Sequence, residues 1–299
     1  MIDPILCEHA NGAVCTAATP ITPAEALRRF EREGNRGVCN TGRYQMPYIV
    51  WGEGPPLVFI HGLGDTKRSF LGPMSILSAH FRCIAYDLPS GRGDRARVSD
   101  YRHAELVNDL FALLDHLELK QSYVFGSSFG ATLVLAAARN EPQRLPRIVL
   151  QGGFAHRPLA RAELLLARAS CFLPGSMRHM PFRQRILERA HREPFSDRPE
   201  EAWQTFLEWT GETPIAAMAR QALVLHRVDL RQTLHEIHQP VLLICGDRDP
   251  LIGGAQEEVL LKSLPNAGRV VIPGCGHVAS YTHPEAVAAV TRDFLTPPS

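Results

Sequence analysis

The chain has 299 residues, 45% of them hydrophobic and 21% charged, with a formal net charge of +1. That length and apolar fraction suit a globular protein able to bury a large core. The near-neutral balance, with no zinc-finger spacing and no lysine-rich run, excludes a nucleic-acid binder gripped by overall charge, and no stretch reaches the roughly twenty apolar residues of a membrane helix.

The start, Met1-Ile2-Asp3-Pro4-Ile5, places an acid and a proline where a secretory signal needs a basic region and an apolar run. Seven cysteines, an odd number without paired spacing, suit reduced thiols. Together these features predict a cytoplasmic protein. Cys7, His9 and Cys15 are the grouping that leaves a metal site as the minor alternative to no metal at all. Further on, the segment 20–30 predicts a helix with Thr22 as N-cap and Pro23 at the first helical position. It either packs on the core or covers the site.

Apolar runs of strand length then recur at 57–60, 83–86, 123–125, 148–150, 241–245 and 270–272, with helix-like segments such as 103–119 and 285–294 between several of them. Continuous apolar runs without polar alternation suit strands buried on both faces, so the fold class is α/β, a mostly parallel central sheet flanked by helices. In such sheets chemistry collects beyond the carboxyl ends of the strands.

The strand exits carry chemistry in chain order. After 57–60 comes His61-Gly62-Leu63-Gly64-Asp65, a glycine-rich loop that can turn a backbone N–H toward a reacting oxygen. After 123–125 comes Gly126-Ser127-Ser128-Phe129-Gly130 and then Ala131-Thr132-Leu133, which reads as strand, sharp turn, helix. Two glycines free a tight turn of side chains, and Ser128 projects from its apex. Ser127 adjoins it, but only Ser128 occupies the centre of Gly-x-Ser-x-Gly. A serine hydroxyl is a poor nucleophile, and an enzyme using one supplies a base and stabilises the oxyanion. After 241–245 comes Gly246-Asp247-Arg248-Asp249-Pro250, with two eligible carboxylates, and after 270–272 comes Pro273-Gly274-Cys275-Gly276-His277, with an imidazole and His283 as the alternative. The order is nucleophile, acid, base.

With these residues in this order, the chain from residue 44 onward resembles the α/β-hydrolase fold superfamily. The resemblance implies Ser128 as nucleophile, His277 as general base and then acid, and Asp249, three residues beyond Gly246, as the carboxylate that orients the imidazole, with Asp247 capping the turn. It implies an oxyanion hole from the backbone N–H groups of Phe129 and Leu63, acyl transfer through a covalent ester, and His61 as a brace for its loop. The segment from Asp87 to Asp94 departs from the family pattern by one extra residue and a terminal aspartate. Serine at position 128, where haloalkane dehalogenases and epoxide hydrolases of this fold need aspartate, disfavours those two chemistries.

Between the runs at 148–150 and 241–245 lies a long insertion with helix-like segments at 159–172, 182–191, 200–210 and 215–225. The resemblance implies that it is a helical cap over the serine. The expected organisation is an N-terminal extension at 1–43, a hydrolase core at 44–153 and 239–299, and the cap at 154–238. Trp203, Phe206, Trp209, Met218 and Leu223 divide between cap packing and substrate pocket. Arg178, Arg183, Arg185, Arg189 and Arg192 form either a solvated face or a site for a carboxylate- or phosphate-bearing substrate, since guanidinium groups grip such anions bidentately.

The expected function is therefore a serine hydrolase, without cofactor or metal, acting on a small-molecule ester or a related thioester or C–C substrate. The alternatives are an acyltransferase using the same three residues and a ligand-binding protein in which they are silent.

Overall fold

The computed structural model describes residues 21–97 and 101–296; Cys7, His9 and Cys15 lie outside the described residues. Each of the six apolar runs forms a strand that extends slightly beyond it. Two further strands come first, β1 (Asn35–Asn40) and β2 (Gln45–Trp51). They are followed by β3 (Pro56–Ile60), β4 (Arg82–Tyr86), β5 (Tyr123–Ser127), β6 (Ile148–Gln151), β7 (Val241–Gly246) and β8 (Ala267–Ile272).

Among the described residues these form one sheet in the order β1-β2-β4-β3-β5-β6-β7-β8. β1 and β2 pair antiparallel, as do β2 and β4, and the remaining neighbours are parallel. The hairpin from β1 to β2 closes where the Thr41 N–H donates to the Tyr44 carbonyl at 3.1 Å. Residue 44, the expected start of the core, falls inside this hairpin.

The strands β3 to β7 bury both faces, which is why their sequences lack polar alternation, whereas β8 at the sheet edge is only partly buried. Val58, Ile84, Val124, Ile148, Leu150 and Leu243 point into one core, and Leu57, Phe59, Cys83, Phe125, Val149 and Leu242 into the other. The helices that precede the insertion are α1 (Pro23–Glu33), α2 (Leu71–Leu77), α3 (His103–His116) and α4 (Phe129–Asn140). The insertion holds α5 (Arg161–Ser170), α6 (Arg183–His191), α7 (Glu200–Gly211) and α8 (Ile215–Arg227), and α9 (Gly254–Ser263), α10 (Ala279–Thr282) and α11 (Pro284–Leu295) follow it. α3 and α4 supply Leu106, Leu110, Leu133 and Val134 to the first core, while α2 and α11 supply Met74, Leu77, Val287 and Phe294 to the second.

α1 begins as its sequence dictates. Thr22 Oγ1 accepts from the Glu25 N–H at 3.1 Å with Pro23 just inside the helix, and Ala26 and Phe30 enter the second core, where Phe30 meets the Trp51 ring edge-on at 5.7 Å. This helix thus packs on the core.

Candidate active site

β5 sits at the centre of the sheet between β3 and β6 and delivers its chain into a tight turn. Ser128 lies at the apex with φ 51° and ψ −113°, a conformation a non-glycine residue adopts at a cost of about 1–3 kcal/mol. Glycines on either side make this possible by close approach. A methyl on Gly130 would stand 2.2 Å from the Ile60 carbonyl oxygen of β3, and one on Gly126 would stand 2.7 Å from Ala131 Cα of α4. The turn is pinned further where the Ser128 N–H donates to the Gln151 carbonyl at 2.9 Å.

His277 reaches this serine from the loop after β8. Its Nε2 lies 2.9 Å from Ser128 Oγ and its Nδ1 lies 2.7 Å from Asp249 Oδ2. A carboxylate can only accept, so Nδ1 carries the proton and Nε2 is left to accept from the serine hydroxyl. Asp249 Oδ1 in turn accepts from the Leu251 and Ile252 N–H groups at 2.8 and 3.0 Å. Burial alone would raise the Asp249 carboxyl, but its hydrogen bond to His277, the histidine charge and the two backbone donors outweigh that and hold it below its ordinary value. Its side chain is only 2% exposed, so this ionised group is shielded from water.

The other residues weighed for these roles are placed elsewhere. Ser127 Oγ donates to Gln151 Oε1 at 2.7 Å, Asp247 is exposed beyond β7, and His283 contacts Thr282 Oγ1 at the start of α11. His61 is buried and braces its loop, donating from Nδ1 to the Gly62 carbonyl at 2.8 Å and accepting the Leu88 N–H on Nε2 at 3.0 Å. Burial lowers its pKa, consistent with a neutral ring holding both bonds. The loop from 87 to 94 is closed by its terminal aspartate, since the Ser90 N–H and hydroxyl both donate to Asp94 Oδ2, at 2.6 and 2.9 Å.

The glycine-rich loop passes directly over the serine: a methyl on Gly62 would lie 3.2 Å from Ser128 Cβ. Leu63 follows it in the loop and Phe129 opens α4. Neither of their N–H groups has a hydrogen-bond acceptor among the described residues. From the insertion, Thr213 Oγ1 donates to the Gly64 carbonyl at 3.0 Å and fastens the α7–α8 turn to this loop.

Ser128 and His277 open on a cavity of about 450 Å³, within the size range of small-molecule sites. Core residues Gly62, Leu63 and Phe154 wall it on one side and insertion residues Leu166, Ile186 and Met218 on the other. Trp203 and Trp209 are buried packing residues beside Phe206, whose ring meets Tyr281 edge-on at 5.2 Å; Phe206 and Met218 also line the cavity.

Two residues here carry no motif in the sequence. Gln151, at the end of β6, holds Ser127 with its Oε1 and donates from Nε2 to the His277 carbonyl at 2.8 Å. His191, at the end of α6, lies nearly parallel to the His277 ring at 27° and 6.5 Å, and its buried Nδ1 has no hydrogen-bond partner among the described residues. Burial, followed by the positive charge of His277, pushes His191 down to about 4, so at neutral pH it is uncharged.

A family model for the α/β-hydrolase fold matches residues 55–284. The putative carbamate hydrolase RutD of Pseudomonas syringae is 25% identical over 82% of this chain and 95% of its own length. The pimeloyl-[acyl-carrier protein] methyl ester esterase of Aeromonas salmonicida is 27% identical over 82% of this chain and 97% of its own. A crystal structure of a hydrolase from Pseudomonas aeruginosa superposes with a TM-score of 0.78 at 23% identity, covering 87% of this chain and 98% of that one, which is a likeness of fold.

Proposed function

The chain belongs to the α/β-hydrolase fold family, and from that premise we propose that it is a serine hydrolase of carboxylic esters and related carbonyl compounds. Ser128 is the nucleophile, His277 the general base and acid, and Asp249 the carboxylate that holds the imidazole. The observation that carries the reading is the unbroken hydrogen-bonded line from Asp249 through His277 to Ser128, ending at an apolar cavity. The relatives include a putative carbamate hydrolase and a methyl ester esterase, and since carbamates and esters both offer a carbonyl carbon to attack, these names support the same bond type here.

In this mechanism Ser128 Oγ attacks the substrate carbonyl carbon as His277 Nε2 takes its proton. The carbonyl oxygen becomes an oxyanion held by the Leu63 and Phe129 N–H groups, each worth about two to three orders of magnitude in rate. Collapse breaks the bond to the leaving alcohol, which receives the proton from Nε2 and departs. Water then gives a proton to Nε2 and its oxygen to the acyl carbon. A second collapse frees the acid and returns the proton to Ser128 Oγ. Asp249 stays ionised throughout and stabilises the imidazolium.

Residues 154–238 act as a cap that excludes water and shapes the acyl pocket around Leu166, Ile186 and Met218. The test is intact mass after fluorophosphonate treatment of wild type and Ser128→Ala, with release of nitrophenol from acyl esters. Labelling and turnover that both require Ser128 are expected. A folded protein that neither labels nor turns over ester would instead be a ligand-binding member of the fold.

A further inference from the structure

A second cavity, of about 600 Å³, opens in the insertion beside the catalytic one, walled by Arg178, Arg183 and Arg185 with Met180, Phe182 and Glu188. Arg183 and Met180 also wall the Ser128 cavity, so the two spaces share a partition. Arg178 and Arg183 lie side by side across Gly211, where a methyl would stand 3.2 Å from Arg178 Cβ and 3.5 Å from Arg183 Nη1.

This arginine pair is not neutralised. Arg183 Nη2 donates to the Leu207 carbonyl at 3.0 Å and to Thr210 Oγ1 at 2.6 Å, both uncharged acceptors. Among the described residues neither Arg178, Arg183 nor Arg185 makes a salt bridge, and Glu188 accepts instead from Gln184 Nε2 at 2.9 Å. Burial first, then the neighbouring charge of Arg178, lowers the pKa of Arg183. Arg178 is exposed and Arg183 half-buried; their like charges repel, and an entering anion would relieve the repulsion and the hydration lost by Arg183. Guanidinium groups match carboxylate and phosphate oxygens bidentately.

The segment that supplies most of this wall is rich in arginine, whereas α7, which adds Leu207, carries Glu200, Glu201 and Glu208. From Arg157 to Arg192 there are eight arginines and no lysine against two glutamates, a net of +6 in a protein whose whole is +1. The same region carries exposed apolar side chains: Phe182 is 70% exposed at the arginine cavity, and Ile186 and Leu166 are 63% and 59% exposed on the wall of the Ser128 cavity. Cationic and apolar groups alternating at one mouth suit a molecule that is anionic at one end and apolar at the other.

The geometry points to an anion subsite: the Arg178–Arg183 cavity takes the carboxylate or phosphate head of an amphiphilic substrate whose apolar part enters the adjoining Ser128 cavity. The substrate assignment rests on the hydrolase reading, whereas the anion site itself does not.

The test is calorimetric binding of octyl phosphate to the Ser128→Ala protein, which needs no turnover. Arg178→Glu should weaken binding about ten- to hundredfold, the usual effect of a charge-assisted hydrogen bond. Arg178→Lys, which keeps the charge, should lose less. Arg168→Glu makes the same charge change outside either cavity and should bind as the parent does. Octyl phosphate that fails to bind, or that binds Arg178→Glu or Arg168→Glu with equal effect, overturns the subsite. Sedimentation with phosphatidylglycerol–phosphatidylcholine vesicles assigns the source of the head: retention on anionic vesicles that Arg178→Glu abolishes identifies a lipid surface, and binding of octyl phosphate alone identifies a free amphiphile. Failure of fluorophosphonate labelling would remove the hydrolase reading and leave these binding results standing.

Discussion

The side-chain amide of Gln151 donates to the backbone carbonyl of His277 at 2.8 Å, across 126 residues of sequence. The same side chain accepts from Ser127 Oγ on its Oε1, and the Gln151 backbone carbonyl accepts the Ser128 N–H. The end of β6 therefore fixes the serine turn and the histidine loop relative to each other, and Gln151, at 2% exposure, does so away from water.

Gln151→Leu should lower kcat about ten- to hundredfold with KM little changed, because the histidine loop loses its register with the serine. The unpaired Ser127 hydroxyl and His277 carbonyl should also cost about 1–3 kcal/mol of stability. Ser127→Ala removes one of the two contacts and should lower kcat less. Steady-state kinetics beside urea unfolding separate the effects. A Gln151→Leu protein with wild-type kcat would show that the bridge has no catalytic consequence.

Asp249→Asn should reduce kcat about ten-thousandfold, since an amide can donate to Nδ1 and stabilise the tautomer that cannot accept from Ser128. Asp247→Asn, at an exposed position, should stay within about threefold of wild type. A larger loss in Asp247→Asn would reverse the assignment of the acid, and equal losses would remove it.

Two glycine substitutions should fail in different ways. Gly130→Ala drives a methyl into the Ile60 carbonyl, forcing α4 away from β3, and should destabilise by more than about 3 kcal/mol. Gly62→Ala meets Ser128 Cβ at 3.2 Å, where a small shift accommodates it. It should fold normally yet label with fluorophosphonate more slowly. Thermal melts and labelling rates of the two proteins read this contrast, and a normally labelling Gly62→Ala would remove the loop from the serine's immediate surroundings.

His191 links acid to stability. Its folded pKa, about 4, lies below the ordinary 6.5, so the unfolded state takes up the proton first. Its contribution is complete above pH 6.5 and is lost as pH falls toward about 4, to a limit of about 3 kcal/mol. His191→Phe, which keeps a ring against Phe206, removes this loss. The stability difference between wild type and variant should therefore shift toward the variant between pH 7 and 4.5 in urea unfolding. A constant difference would mean that the ring titrates as if exposed.

Much of this was legible because buried parallel strands and a serine turn leave local marks. The runs at 57–60, 123–125 and 241–245 carry no polar alternation, and the helices expected in the insertion at 182–191, 200–210 and 215–225 differ from α6, α7 and α8 by at most two residues at either end. β1 was invisible for the opposite reason. Its Asn35-Arg36-Gly37-Val38-Cys39-Asn40 is polar, lies at the sheet edge and buries only Cys39. Gln151 and His191 were equally silent, because their roles come from contacts 126 and 86 residues away and from the direction of a side chain. The arginines of the insertion were visible as a group, but only the shared wall at Arg183 separates one pair from the rest.

The bond from Thr213 to Gly64 fastens one turn of the insertion next to the groups that surround the serine, the ion pair from Arg68 to Glu212 reinforces that turn, and Arg198–Glu285 and Glu193–Arg248 tie the insertion to the core elsewhere. α5 and α6 supply Leu166 and Ile186 to the cavity and lie outside the turn that Thr213 fastens. Substitutions accumulating there over generations can redraw what the protein accepts while the reacting atoms keep their places. On the proposed reading, much of the selectivity is thus inherited on a stretch of chain apart from the one that cuts, and descendants can exchange diets without relearning how to cut.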